Sequence, residues 1–207
     1  MVVIHYTAME SAEAALARLC DPAFEVSAHY LICPQGRVFR LVDEAQRAWH
    51  AGTGQWGDVV DVNSRSIGIE LANRGVEPFA AAQMDALEAL LDDILTRHEI
   101  PPERVIGHSD MAPARKIDPG ARFDWRRLAL SGLSIFPNKN ETTGVNKVRF
   151  VQDLSAFGYP DAPLDSLLNA FRDRFRPRHT GPLDGVDMGI ARELAERFPV
   201  DRCAVTS

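Results

Sequence analysis

Five polar residues stand where the surrounding sequence is built for burial or for a tight turn: His5, Glu70, His108, Lys116 and Asp118. His5 follows Val2-Val3-Ile4 directly, and His108 closes the run Val105-Ile106-Gly107. Glu70 lies inside Ser66-Ile67-Gly68-Ile69-Glu70-Leu71. There a period of two puts Ile67, Ile69 and Leu71 on one face and Ser66, Gly68 and Glu70 on the other. A charge on a strand otherwise made for burial must face solvent or a polar site. Small Ser66 and Gly68 beside it predict room for a ligand. Lys116 and Asp118 follow His108 in the stretch Arg115-Lys116-Ile117-Asp118-Pro119-Gly120.

Two histidines and an aspartate are suitable zinc ligands. Three protein ligands leave a fourth position for water, whose pKa zinc lowers toward about 7. Amide hydrolysis also needs a base for the water proton and a positive group beside the developing oxyanion. Glu70 and Lys116 are the candidates for these roles, and the set as a whole matches metal-assisted amide hydrolysis. Each member also fits a structural role by itself. A strand histidine is commonly a hydrogen-bonded core residue, an aspartate before Pro-Gly a turn residue, and a lone lysine a solvated charge. The sequence holds no HExxH and no CxxC pair to decide the matter by spacing.

The elements that must position these residues are legible from periodicity. Residues 2–7, 27–33, 38–42, 66–71 and 104–108 read as strands, the second and third joined by the turn Pro34-Gln35-Gly36. Residues 11–20 read as a helix capped by Ser11. Residues 78–98 read as a long amphipathic helix carrying Met84, Leu87, Leu90, Leu91, Ile94 and Leu95. A closing helix is expected at 124–130. Strands and helices mixed in this order predict an α/β fold with a central mixed sheet flanked by helices. Composition then shifts: residues 132–144 read as a linker, with Gly132, Pro137 and paired threonines. Helical segments at 145–157, 164–175 and 186–198 follow. The expected organisation is therefore a catalytic domain over 1–131 and a small three-helix C-terminal domain over 145–207.

Bulk properties limit the function classes. The chain has 207 residues, 45% of them hydrophobic, and a net charge of -6 from 29 acidic and 23 basic side chains. That balance argues against nucleic-acid partners, which require a basic face. No apolar run approaches the roughly 18 residues of a transmembrane segment. Met1 directly precedes a core-type strand, which is read as a start shortened by removal of a leader. The cysteines, Cys20, Cys33 and Cys203, are few, odd in number and unpaired by spacing.

At the chemistry-bearing residues the sequence resembles the type 2 N-acetylmuramoyl-L-alanine amidases. This family is related to phage amidase lysozymes and peptidoglycan recognition proteins. The matching stretches are Ile4-His5-Tyr6-Thr7, Ser27-Ala28-His29-Tyr30-Leu31, Ala48-Trp49-His50-Ala51-Gly52, the segment from Asn63 to Leu71 and the run from Gly107 to Gly120. The resemblance spans roughly residues 1 to 130. It implies that His5, His108 and Asp118 bind Zn2+, that Glu70 is the catalytic carboxylate, and that Lys116 stabilises the tetrahedral intermediate. Trp49 and His50 match a groove-lining segment. His50 fits substrate contact or a structural hydrogen bond equally well, whereas His29 better fits a structural bond. Arg115 has a planar fork suited to a peptide carboxylate and is an expected substrate contact, with solvated charge as the alternative.

The implied substrate is peptidoglycan or its muropeptide fragments, cut between N-acetylmuramic acid and L-alanine. The C-terminal segment resembles a three-helix peptidoglycan-binding domain through Val151-Gln152-Asp153-Leu154, Phe157-Gly158-Tyr159 and Thr180-Gly181-Pro182-Leu183-Asp184. That module points to the periplasm or cell envelope, while specialisation for recycled anhydro-muropeptides points to the cytoplasm. A non-catalytic receptor for wall fragments is the alternative class. It has no need of Glu70 and Lys116 alongside an intact ligand set.

Overall fold

The runs Val2-Val3-Ile4 and Ile67-Gly68-Ile69 favour extended backbone, and they become neighbours at the centre of the sheet. In the computed structural model, which describes residues 1–138, 142 and 144–200, β1 (Val2–Tyr6) and β4 (Ile67–Leu71) run parallel with His5 opposite Glu70. Residues in register on parallel strands project from the same face. β5 (Val105–Gly107) flanks β1, and β2 (Tyr30–Ile32) flanks β4, both in parallel. β3 (Val38–Arg40) closes one edge antiparallel to β2. The five-stranded order β3-β2-β4-β1-β5 is the mixed sheet that the element pattern predicts.

Two strands are shorter than their apolar runs, for identifiable reasons. β2 starts at Tyr30 because a side chain takes over the ladder before it: the His29 ring Nδ1 accepts from the Gly68 N–H at 2.9 Å. β5 ends at Gly107 because the Asp110 carboxylate accepts the Gly107 N–H at 2.8 Å and turns the chain into the short helix α3 (His108–Met111). His108 is thus the first residue of a helical turn, not the last of a strand.

The two faces of the sheet are covered differently. Ile4, Ile69 and Leu71 pack against Met84, Leu87, Leu91 and Ile94 of α2 (Ala81–His98), and Trp125 and Leu128 of α4 (Trp125–Leu130) join that layer. α2 begins three residues later than its pattern suggests, and Phe79 stacks edge-on against Phe123 at 5.3 Å. On the opposite face, α1 (Ala12–Cys20), capped by Ser11, covers Leu31. Val3 and Ile106 belong there to a core that also holds Phe150, Phe157, Phe171 and Phe175.

Those aromatics come from α5 (Lys147–Phe157) and α6 (Leu164–Phe175), and α7 (Gly185–Arg197) adds Met188, Ile190 and Leu194; the three are close to the helices expected. Asn146 and Asp184 cap the first and last of them with their side chains. The same core takes in Ala51, Trp56 and Met111. Gly158 lies so close that a Cβ there would sit 2.6 Å from the Trp56 indole. Within the segment expected as a linker, Leu133, Ser134 and Ile135 are buried, and Lys139, Asn140, Glu141 and Thr143 lie outside the described residues. Cys20 is exposed, Cys33 is buried, and both are free thiols; Cys203 lies outside the described residues. Among the described residues no helix is long and apolar enough to cross a membrane.

Candidate active site

Three donor atoms meet at the C-terminal end of β1. His5 Nδ1 lies 2.9 Å from His108 Nδ1 and 3.0 Å from Asp118 Oδ2, and His108 Nδ1 lies 3.1 Å from the same carboxylate oxygen. All three residues are buried, and they form a group able to hold a metal ion. β1 supplies His5 and the first turn of α3 supplies His108. The loop behind α3 supplies Asp118, tied back by the Ser109 N–H donating to the Asp118 carbonyl at 2.9 Å.

The outer nitrogens of the two imidazoles decide which atoms point inward. His108 Nε2 lies 2.8 Å from the Ala51 carbonyl, an acceptor only, so Nε2 carries the proton and Nδ1 offers a lone pair. His5 Nε2 lies 2.9 Å from His50 Nδ1, and the direction of that bond follows from the next partners. Ser66 Oγ donates to the Val62 carbonyl at 2.5 Å and therefore accepts from His50 Nε2 at 3.3 Å. His50 Nδ1 is then left to accept from His5 Nε2–H. Both Nδ1 lone pairs thus converge on the Asp118 carboxylate. Three acceptors within about 3 Å repel one another unless a cation lies between them.

The protonation states agree. Burial, then the neighbouring His108, push the His5 imidazole down to about 4, so it is neutral. Burial alone would raise Asp118, but the adjacent His108 and His5 outweigh it and hold its carboxyl well below the usual carboxylate range. His50 is held well below its ordinary value by burial and by His5.

Glu70 stands beside this group as the register partner of His5. Its Oε2 is buried with no hydrogen-bond partner among the described residues. Burial, with Asp118 adding to it and Lys116 opposing, raises the Glu70 carboxyl to about 8. Lys116 is partly buried in the same wall. These side chains line a cavity of about 350 Å³ whose rim includes Trp49, Arg115 and the exposed Ile117.

The remaining expected site residues divide. Trp49 is 56% exposed at the cavity rim, with the Arg47 guanidinium 4.2 Å from its ring centroid. His50 also lines the cavity, but its ring nitrogens are engaged by His5 and Ser66. Arg115 directs Nε and Nη2 at the carbonyls of Ala51 and Thr53, which holds the loop that carries the His108 acceptor. His29 bridges the Gly68 N–H and the Gln46 carbonyl, a structural pin.

Three residues carry site geometry that sequence reasoning left unassigned or misread. Asn63 Oδ1 accepts from the backbone N–H groups of His50 and Ala51 at 3.0 and 2.8 Å, and so fixes the segment behind His5 and His108. Ser66 ends the hydrogen-bond chain from His5. Gly68 was expected to leave room for a ligand, but the room is filled by the His50 ring, whose Cγ would lie 2.3 Å from a Cβ at that position. A glycine inside a strand is itself a signal of such close approach.

Comparison with known proteins gives a consistent picture. Residues 1–121 match the family described as N-acetylmuramoyl-L-alanine amidase. The N-acetylmuramoyl-L-alanine amidase AmiD of Escherichia coli (strain K12) is 36% identical over 97% of this chain and 84% of its own length. The 1,6-anhydro-N-acetylmuramyl-L-alanine amidase AmpD of Haemophilus influenzae is 43% identical over 51% of this chain, which is 58% of that relative. Among solved structures, E. coli AmiD in complex with anhydro-N-acetylmuramic acid-L-Ala-D-gamma-Glu-L-Lys aligns with a TM-score of 0.89 and 35% identity, covering 97% of this chain and 90% of the other. AmpDh3 from Pseudomonas aeruginosa, in complex with an anhydromuramic pentapeptide, aligns with a TM-score of 0.87 and 32% identity, covering 96% and 92%.

Proposed function

Because the chain belongs to the N-acetylmuramoyl-L-alanine amidase family, we propose that it hydrolyses the amide between N-acetylmuramic acid and L-alanine in peptidoglycan or its muropeptide fragments, with zinc held by His5, His108 and Asp118. The observation that carries this reading is the convergence of two proton-free imidazole nitrogens on a buried carboxylate, beside the unpartnered oxygen of Glu70. Two neutral nitrogens and one carboxylate oxygen are a donor set that suits zinc and leaves a coordination position open. A zinc ion there supplies Lewis acidity, which makes water a nucleophile near neutral pH and polarises a carbonyl.

The protein's own groups do the rest. Glu70 takes the proton of the attacking water and returns it to the departing alanine nitrogen. Burial gives the Glu70 carboxylate a greater proton affinity than a free one, and a cation held by His5, His108 and Asp118 would keep it ionised until the transfer. Lys116 contributes positive charge toward the carbonyl oxygen as it becomes anionic. Trp49 offers an exposed aromatic face at the rim for the sugar or stem peptide. Arg115 meets the peptide only through what its two backbone carbonyl partners leave over. The complexes of AmiD and AmpDh3 with anhydromuramyl peptides support a substrate of that kind. We assign residues 1–131 the catalysis and residues 145–207 the holding of glycan, a division that suits the periplasm or envelope, whereas specialisation for recycled anhydro-muropeptides suits the cytoplasm.

The test is digestion of sacculi and of anhydro-muropeptide, followed by mass spectrometry. Free stem peptide beginning with L-alanine should appear with both or either substrate, vanish with a chelator and return with zinc. Glu70→Ala should keep one zinc per chain and lose at least 100-fold in turnover. Full activity in that variant removes Glu70 from the mechanism, and activity unaffected by metal removal ends the zinc reading.

A further inference from the structure

The C-terminal helical segment reaches back to the turn that carries His108, through Arg174 of α6 and Tyr159 after α5. Asp110 lies two residues beyond that histidine on α3, 1% exposed, and its carboxylate has three partners. Oδ2 accepts from the Gly107 N–H at 2.8 Å, which is the bond that turns β5 into α3. Arg174 of α6 donates to the same oxygen at 2.7 Å, and the Tyr159 hydroxyl, just beyond α5, donates to Oδ1 at 2.5 Å. Arg174 is 2% exposed, donates a further bond to the Val105 carbonyl on β5 at 2.9 Å, and lies over the Trp125 ring of α4 at 4.4 Å.

We propose that Arg174 and Tyr159 are positioning residues for the metal centre: through Asp110 they hold the β5–α3 corner that aims His108 Nδ1. The proposal rests on the reading of His108 as a metal ligand. A buried carboxylate is tolerated only while it is paired and hydrogen-bonded. Without Arg174 and Tyr159, the Asp110 carboxylate loses the two side-chain donors that anchor it and must turn toward water, which weakens its hold on the Gly107 N–H. α3 has four residues, so it has no long helical ladder to keep its first residue in place. On its other flank His108 is held by the Ser109 N–H bond to Asp118, by the Ala112 N–H bond to its own carbonyl and by its ring bond to Ala51. Metal ligands lose affinity when the groups orienting them are removed. The helical segment therefore completes the ligand geometry in addition to any part in holding glycan.

The experiment uses the full chain with zinc and with cobalt(II) as probes. Tyr159→Phe keeps the ring and removes one donor; Arg174→Lys keeps the charge and removes the fork. Arg172→Lys is the control, because Arg172 lies on the same helix but pairs with Asp187 and the Gly181 and Pro182 carbonyls. Zinc affinity is read by competition with a chromophoric chelator, and ligand geometry by the visible bands of the cobalt protein. Tyr159→Phe and Arg174→Lys should each weaken zinc binding about tenfold and shift the cobalt bands. Arg172→Lys should leave both unchanged even where it lowers Tm. If Tyr159→Phe folds and binds zinc with wild-type affinity and an unchanged cobalt spectrum, the proposal is overturned, and this holds even if Arg174→Lys does not fold. A wild-type chain that binds neither metal, or a His108→Ala chain that binds them equally well, overturns the ligand reading itself.

Discussion

At the scale of single residues, the tautomer of each imidazole decides what the site can bind. A histidine can present either nitrogen, and the choice belongs to whichever partner holds the other one. For His108 that partner is the Ala51 carbonyl, and for His5 it is His50 backed by Ser66 and Val62. His50→Ala should therefore weaken zinc binding roughly 10–100-fold while leaving the fold intact. Gly68→Ala should behave similarly, since its Cβ would drive into the His50 ring. Equal zinc affinity in wild type and both variants, measured by chelator competition, would refute the chain of bonds from His5 to Val62. His5, Glu70 and His108 were visible as polar residues within or ending apolar runs, and Asp118 as an acid set before Pro119-Gly120. The role of His50 was not, because a histidine in a loop gives no sign of which neighbour its ring will meet.

At the scale of elements, periodicity located nearly every strand and helix, and the misplaced ends of β2 and β5 fall where side chains replace backbone partners. His29 takes a ladder position before β2, and Asp110 ends β5. A further tie of this kind is Glu44, beyond β3, whose carboxylate meets Arg97 and His98 at the end of α2 and the Tyr30 hydroxyl on β2. The Arg97 guanidinium foremost, then His98 and Tyr30, hold the Glu44 carboxyl well below its ordinary value despite partial burial. A depressed carboxyl pKa stabilises the fold above the unfolded value, about 4.3 for glutamate, and that contribution fades as pH falls below it. Glu44→Gln should lower Tm by a few degrees at pH 7. The gap to wild type should close as pH falls below about 4. A gap that stays constant from pH 7 to pH 3 in thermal melts would show that the tie is not electrostatic.

At the scale of the whole molecule, the composition shift near residue 132 suggests two units, yet a single hydrophobic core contains Val3 and Ile106 of the sheet together with Phe150, Phe157 and Phe171 of the helices. A shared core couples the unfolding of its parts. Phe171→Ala, at a fully buried position, should cost about 3–5 kcal/mol and lower Tm by roughly 10 °C. The loss should come in one transition seen alike by helix signal and zinc release. Two separate transitions in calorimetry, with zinc release following only the unaffected one, would contradict that coupling.

The amino-acid sequence by itself determined the alternation that makes five strands, the apolar stripes that make the long helices, and the polar residues set into them. These follow from local rules, because a strand repeats every two residues and a helix every 3.6. Only the tertiary structure decided that His5 and His108, 103 positions apart, present their Nδ1 atoms to one point. It likewise decided that Gly68 makes room for an imidazole and that an arginine from α6 pairs with Asp110 in the turn that carries His108. Such contacts depend on strand register and on packing between distant segments, which no local pattern in the chain encodes.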